Sequence, residues 1–332
     1  MAPQRRATRF SAADEQYGTT RFMLKRVMAG TKRALGLKPA GRNLTVFPDD
    51  TFLVSYPKSG NTWARFLIAN LLHRDDHIGF SNIHAIIPGI DVVRHRDMLR
   101  FPRPRIIKSH QYYDPRYRRV VYIVRDPRDV ALSEYHAQRK SKRIGDDYPI
   151  EGFVRSFVAG ESCDYSSWGE HAASWLSTRY GQPGFLLLRY EDMLQDPGRE
   201  LSKMAGFLGL QPSPELIQQA VARSAADKMR KLERSQAQDF NATKGTRQDI
   251  LFVRSAKAGG WRTSLPEAAI LQIEQTWGHL IRWLGYELVA EGDFDRREPV
   301  SPLSEGDGPD AKHLFANGFF TRSSTPFVPS KL

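Results

Sequence analysis

The sequence predicts a single α/β domain in which helices flank a central, mostly parallel sheet. Two observations carry that expectation. Four runs have the length and apolar content of strands: Thr51–Ser55, Arg105–Lys108, Val120–Val124 and Phe185–Leu188. Helix-like stretches lie between or beyond them, and strands that alternate with helices pair in parallel through crossovers. In such folds ligands bind beyond the carboxyl ends of the strands. All four runs here end in polar or charged residues.

The elements follow in order. Thr51–Ser55 is a short apolar run that leads into a tight polar turn, and the helical pattern resumes over Thr62–Leu72. Arg105–Lys108 is short and carries Ile106 and Ile107 inside. Val120–Val124 and Phe185–Leu188 are continuously apolar, as strands covered on both faces are. Further helices are predicted over 128–140, 150–158, 168–179, 200–208, 214–222 and 267–284. Asp196-Pro197-Gly198 and Gln211-Pro212-Ser213-Pro214 mark helix boundaries. Residues 235–254 have poor periodicity and read as a long loop.

The composition bounds the function. A chain of 332 residues with 40% hydrophobic residues can bury a substantial core. Its one cysteine, Cys163, excludes an intramolecular disulfide and a cysteine-rich zinc site. A reducing, cytoplasmic setting fits that usage. No run approaches the roughly 18 apolar residues of a membrane span. The net charge of +12 is uneven, because Met1–Arg42 holds ten basic residues against Asp14 and Glu15, a net +8. We therefore divide the chain into a basic extension (1–43), a catalytic-size domain (44–290) and a polar, Pro/Gly-rich tail (291–332). Arg21–Lys38 mixes charge with apolar residues and is open to two readings, a basic helix on an anionic membrane surface or a solvated or core-docking extension. Nucleic acid is disfavoured, because no helix-turn-helix or stacking motif accompanies the charge.

The most informative segment is Tyr56-Pro57-Lys58-Ser59-Gly60-Asn61-Thr62-Trp63. A strand, a tight loop and a helix N-terminus form a phosphate cradle, in which backbone N–H groups and the helix dipole face an anion. Lys58 adds positive charge, and Ser59 and Thr62 add hydroxyls. This places the chain in the P-loop-containing nucleotide-binding type of α/β fold. The order is not that of a nucleoside-triphosphate loop, in which lysine follows the last glycine. Here lysine precedes Gly60, and the sequence contains no Gly-Lys pair.

Three further blocks end the remaining strands. Lys108-Ser109-His110 puts an imidazole just past a buried strand, where it can serve as a general base. Arg125-Asp126-Pro127-Arg128-Asp129 is followed by Ser133, an arginine and a hydroxyl able to hold a second phosphate. The plainer alternative is an Arg–Asp pair that pins the loop. The fourth block is Arg189-Tyr190-Glu191-Asp192-Met193, whose adjacent carboxylates read as helix caps. Later comes Arg254-Ser255-Ala256-Lys257-Ala258-Gly259-Gly260-Trp261, with cations, flexible backbone and an aromatic anchor.

Together these blocks resemble the sulfotransferases that use 3′-phosphoadenosine 5′-phosphosulfate (PAPS), from about Phe47 to Tyr286. Tyr56–Trp63 resembles their 5′-phosphosulfate loop, Y-P-K-S-G-T-T-W, with Asn61 in place of a threonine. Arg125–Ser133 resembles the 3′-phosphate motif, Lys108–His110 the segment with the catalytic histidine, and Tyr190–Met193 the Y-E-D-M run. Phe157, Gly160, Trp168, His171 and Trp175 echo a helical segment near the acceptor pocket of the cytosolic branch. The resemblance implies sulfuryl transfer to an alcohol or phenol hydroxyl, less readily an amine, of a small molecule, lipid or carbohydrate. His110 is then the base, with Lys58 and Lys108 as cations at the sulfuryl group. Ser59, Gly60, Asn61 and Thr62 cradle the 5′-phosphate. Trp63 and Ser224 lie at the adenine, Tyr190 lines the nucleotide side, and Arg125, Ser133 and Arg254 hold the 3′-phosphate. His171 faces the acceptor or is a buried structural residue. Adenosine 3′,5′-bisphosphate is the implied product, and no metal is required. A non-catalytic or kinase-like nucleotide-binding protein of the same fold is the alternative.

Three departures qualify the resemblance. The late R-K-G-x-x-G-x-W block lacks its lysine and first glycine. The adenine-flanking T-S-F is Ser224-Ala225-Ala226, and the dimerisation sequence after Trp261 is unrecognisable, so the resemblance leaves the oligomeric state open. The acceptor loops are expected over 81–98, 139–149 and 235–254, with Pro88, His95, Tyr148 and Phe240 as lining residues.

Overall fold

The computed structural model describes residues 35–74 and 77–289. The chain groups into two compact units, which are described separately. The smaller comprises residues up to 45 together with 89–102. In it, Ala40 and Gly41 donate backbone hydrogen bonds to Val93 and Ile90 (3.0 and 2.7 Å), and Pro39 bridges Arg94 in antiparallel fashion. The His95 imidazole, expected at the acceptor, lies 3.1 Å from the Thr45 hydroxyl within this unit. The rest of the basic extension and the tail with Phe315, Phe319, Phe320 and Phe327 lie outside the described residues. Among the described residues, no helix is long and apolar enough to cross a membrane.

The larger unit, residues 46–88 and 103 onward, holds the sheet. Its four strands are β1 (Thr51–Ser55), β2 (Ile106–Ser109), β3 (Arg119–Val124) and β4 (Phe185–Arg189). Their order is β2-β1-β3-β4 and every pairing is parallel. β1 is buried at all five positions, as a central strand covered on both faces must be. Leu53, Val121, Ile123 and Leu188 form its core with Ala64, Phe66, Leu67 and Ile68 of the helix Asn61–Leu72, while Phe52 and Val54 are buried on the opposite face. Each such aliphatic or aromatic side chain contributes about 1.5–3 kcal/mol by leaving water.

Strand order and register position the site. The chain leaves β1 for β2 on one side and returns to β3 on the other, so the topological switch point falls between β1 and β3. Ser55 pairs with Ile123, Val54 with Ser109 and Val124 with Arg189. All four carboxyl ends therefore reach one edge of the sheet. The next residues there are Tyr56, His110, Arg125 and Tyr190.

The predicted helices are present, with boundaries moved by a few residues at most. The largest shift is Pro197–Phe207, which begins at the proline because Asp196 caps it and Pro197 fits the first helical turn. Two helices went unpredicted beside the site. Tyr190–Gln195 is a short helix directly off β4, and Ala226–Gln236 precedes the expected loop. The second is highly charged and buries only Met229 and Glu233, so its apolar period is faint.

Candidate active site

The loop after β1 turns through two left-handed residues, Lys58 (φ 65°) and Gly60 (φ 95°), on either side of Ser59. Alternating backbone handedness of this kind turns successive N–H groups toward one point. Gly60 is required on a second count, since a Cβ there would lie 2.4 Å from the Tyr190 ring. The Tyr190 ring closes the loop from the β4 side. It carries the Arg125 guanidinium at 4.4 Å and meets Trp63 edge-on at 5.9 Å. Trp63 donates from Nε1 to the Ser224 carbonyl (3.1 Å), and Asn70 holds the Ser224 hydroxyl (3.0 Å). Trp63, Tyr190 and Ser224 are thus brought together, as the resemblance implies.

Arg125 does more than offer a free fork. It donates to the carbonyls of Lys58 (3.1 Å) and Lys257 (3.3 Å), tying the first loop to the late block. Its approach to Asp129 is loose, at 3.8 Å. Asp129 instead accepts from the backbone N–H groups of Gly259 (2.7 Å) and Trp261 (3.1 Å). An Arg125–Asp129 pair is therefore only part of what pins this loop. The late block also keeps a glycine-like turn without the glycine, because Ala256 stands at φ 51°. A side chain there costs on the order of 1 kcal/mol.

Burial works against the charged forms of Lys58 and Arg254, and the neighbouring cations add to it. Burial lowers the Lys58 ammonium pKa, and Arg125 and Arg254 lower it further, while Glu134 opposes them. Burial and then Arg125 lower Arg254. His136, which sequence reasoning left without a role, is pushed down to about 4 by burial, Arg254 and Arg139. Two buried donors of this cradle have no hydrogen-bond partner among the described residues: the Ser59 hydroxyl and Arg125 Nε. Both fit a bound phosphate ester. The Asn61 side chain adds no donor to them, its unpartnered Oδ1 being an acceptor. Its Nδ2 donates to Leu53 O (3.1 Å) and Ser55 Oγ (3.3 Å), so only its backbone N–H remains available for the cradle. Thr62 and Ser133 are half-buried on the two flanking helices.

His110 sits at the end of β2 with its ring turned across to β1. A carbonyl oxygen can only accept, so the 2.7 Å contact between Nδ1 and Ser55 O places the proton on Nδ1. In the neutral ring the lone pair then lies on Nε2. The Tyr165 ring meets the imidazole edge-on at 5.5 Å. Lys108, two residues earlier, is buried and donates its backbone N–H to Pro88 O (2.9 Å).

Of the two readings of His171, its contacts are those of a buried structural residue. The ring is fully buried, donates from Nε2 to the His110 carbonyl (3.1 Å) and accepts at Nδ1 from the Tyr122 hydroxyl (3.0 Å). No face is left for an acceptor, and the residue buttresses His110 instead. Phe240 is likewise core, packed on Phe80 (4.9 Å) and His84 (5.6 Å). Nor does Glu191 cap its own helix. It accepts from the Asp126 N–H (3.1 Å) and the Tyr286 hydroxyl (2.7 Å), bracing the turn after β3.

Burial of His171 sets a pH dependence. Its pKa is pushed from 6.5 down to about 4, chiefly by desolvation. Below pH 6.5 the unfolded chain takes up a proton that the folded chain refuses, so stability falls as pH drops toward 4. The shift corresponds to about 3 kcal/mol. Urea titrations at pH 7 and pH 4.5 should show that loss, and the His171→Gln variant should show a shallower one.

Sequence reasoning missed Phe252, whose ring lies 4.4 Å under the Lys58 ammonium, and Glu134, the buried carboxyl that opposes the cations. No local pattern marks Phe252. Glu134 carried a signal, since it directly follows Ser133 on a helix whose start already faced the site.

Comparisons with known proteins bear on the family and the fold. A Sulfotransferase domain family model matches residues 48–285. Sulfotransferase 1A1 of Bos taurus is 28% identical over 243 residues, covering 67% of this chain and 80% of the relative. The 3-beta-hydroxysteroid sulfotransferase of Cavia porcellus is 28% identical over 224 residues, covering 64% and 77%. Among solved structures, mouse sulfotransferase SULT7A1 complexed with PAP shares the fold at a TM-score of 0.59 and 23% identity, covering 73% of this chain and 88% of that one. Retinol dehydratase in a complex with retinol and PAP does so at 0.60 and 23%, covering 77% and 85%. The match spans most of the chain and takes in every strand end described above, and the protein belongs to the sulfotransferase family.

Proposed function

We propose that the protein transfers a sulfuryl group from PAPS to an acceptor hydroxyl, with His110 as the general base. The observation that carries this reading is the His110 tautomer. Ser55 O holds the Nδ1 proton, which leaves Nε2 as the basic nitrogen, one strand away from the Lys58 loop. Ser59, Gly60 and Thr62, with the Asn61 backbone N–H, bind the 5′-phosphate. Arg125, Ser133 and Arg254 bind the 3′-phosphate, and Trp63, Tyr190 and Ser224 bound the adenine.

In the step, the acceptor O–H bond breaks and its proton goes to His110 Nε2. The acceptor oxygen bonds to sulfur as the bond from sulfur to the bridging phosphate oxygen breaks. Lys58 meets the negative charge that develops on that oxygen, and Lys108 adds a second cation. Positioning and fixed charge carry such transfers, as in the related phosphoryl chemistry. Because lysines supply the charge, the reaction proceeds without magnesium.

For the acceptor we assign the approach over residues 163–165. Cys163 Sγ lies 3.3 Å from the Tyr56 hydroxyl, and Tyr165 touches His110. A cavity of about 340 Å³ lies behind them, among Gln138, Ile144, Tyr148, Phe153, Ser162 and Cys163. Its lining is mostly polar, with Arg143, Glu161 and Asp164 beside Ile144 and Phe153, which suits a polar, hydroxylated small molecule. A curated relative acts on a hydroxysteroid by name, so alcohols and phenols come first.

The test is label transfer from sulfur-labelled PAPS to a panel of alcohols, phenols and amino sugars, with EDTA present throughout. Transfer to at least one hydroxyl acceptor is the expected result. Binding of adenosine 3′,5′-bisphosphate with no transfer to any of them would support the rival reading, a nucleotide-binding protein without this chemistry.

A further inference from the structure

The stretch from Arg247 to Ser255 brings Phe252 to Lys58 and Arg254 to the cation cluster, yet no helix or strand runs through it. Its backbone is held by three charged side chains. Lys140, the last residue of the helix Pro127–Lys140, donates from Nζ to Arg247 O (2.8 Å) and Ile250 O (2.6 Å). Glu233, on the helix Ala226–Gln236, accepts from the N–H groups of Phe252 (2.5 Å) and Val253 (2.9 Å). Arg230, three residues earlier on that helix, donates to the carbonyls of Val253 and Arg254 (both 3.1 Å). Lys140 and Glu233 lie 3.4 Å apart, with side chains 4% and 1% exposed.

Two facts set this pair apart from an ordinary ion pair. Both charges are buried, where a pair of apolar residues is commonly as stable or more so. Both also bond backbone groups of one irregular segment, Lys140 the carbonyls of Arg247 and Ile250 and Glu233 the consecutive N–H groups of Phe252 and Val253. The pair joins that segment to the helix that carries Ser133 and to the helix that follows Ser224.

We infer that Lys140 and Glu233 form a positioning device for the donor site, holding Phe252 against Lys58 and Arg254 beside Arg125. The inference rests on the reading of this site as the PAPS site. Neither residue touches the reacting groups. Glu233 sets the backbone under Phe252, and Phe252 sets where the Lys58 ammonium rests. Loss of the device therefore weakens donor binding and leaves acceptor binding intact.

Three variants test this in the full chain: Glu233→Gln, Lys140→Met and the double variant Lys140→Met/Glu233→Leu. The double variant removes both buried charges, so no unpaired charge is left to destabilise the fold. It should melt within a few degrees of the unaltered protein, while the KM for PAPS and the Kd for adenosine 3′,5′-bisphosphate rise about tenfold, the effect of losing backbone hydrogen bonds to a charged group. The acceptor KM should not change. The amides of Phe252 and Val253 should also lose hydrogen-exchange protection in Glu233→Gln. A double variant that binds donor normally, or that fails to fold, would overturn the inference, because the pair would then serve only the fold. The unaltered protein guards the underlying reading. If it does not bind adenosine 3′,5′-bisphosphate at all, the donor assignment fails rather than this one.

Discussion

Replacing His110 with alanine should reduce sulfuryl transfer about 100- to 10,000-fold, the usual contribution of a positioned base. Affinity for adenosine 3′,5′-bisphosphate should stay within about twofold of the unaltered protein, because none of the phosphate and adenine contacts proposed above comes from the His110 ring. One structural complication can be separated out. The ring also ties the end of β2 to β1 through Ser55 O, so alanine removes a hydrogen bond as well as a base. Asparagine at the same position keeps a side-chain N–H donor but offers no basic nitrogen. His110→Asn should therefore be about as inactive as His110→Ala while melting closer to the unaltered protein. Label transfer, calorimetric binding and thermal melts check all three statements. A variant that retained transfer within tenfold would remove the imidazole from the mechanism.

Arg125→Ala should have the converse profile, with donor affinity down about 100-fold and a smaller effect on kcat. The size comes from three losses at once. The guanidinium supplies charge-assisted hydrogen bonds to phosphate, its departure leaves the Lys58 and Lys257 carbonyls without their donor, and the Tyr190 ring loses its cation. Lysine should rescue little, since one ammonium cannot reach two carbonyls and a phosphate in a planar fork. The KM for PAPS and the Kd for the bisphosphate measure the effect. If Arg125→Ala and His110→Ala shift KM and kcat alike, the division between grip and chemistry fails. In contrast to position 110, some loss of thermal stability is expected here, because Arg125 ties together a loop 67 residues before it and a block 132 residues after it.

Much of the fold was legible because its signals are local. β1 reads as a strand from five consecutive residues, and the loop after it reads as an anion cradle from the next eight. Its lysine and glycine even occupy the two left-handed positions. The helix Ala226–Gln236 was missed because its sequence is dominated by charge, and its buried Glu233 looks in isolation like a solvated residue. His171 shows the same limit from the other side. Its place in the chain suggested the acceptor, while its burial and its bonds to Tyr122 and His110 show a buttress.

From the sequence alone came the alternation of strands and helices, the four blocks that end the strands, and the candidates proposed above as base and cations. These depend on neighbours within one or two turns of chain, where spacing and residue type suffice. The tertiary structure alone decided which nitrogen of His110 carries the proton, that Phe252 underlies Lys58, that Asp129 joins Arg125 in fastening the late block, and that a buried Lys140–Glu233 pair holds the irregular segment between them. Each of those joins residues far apart in the chain. Burial and a partner's carbonyl or carboxylate set their chemistry, and neither exists until the sheet has brought the strand ends to one edge.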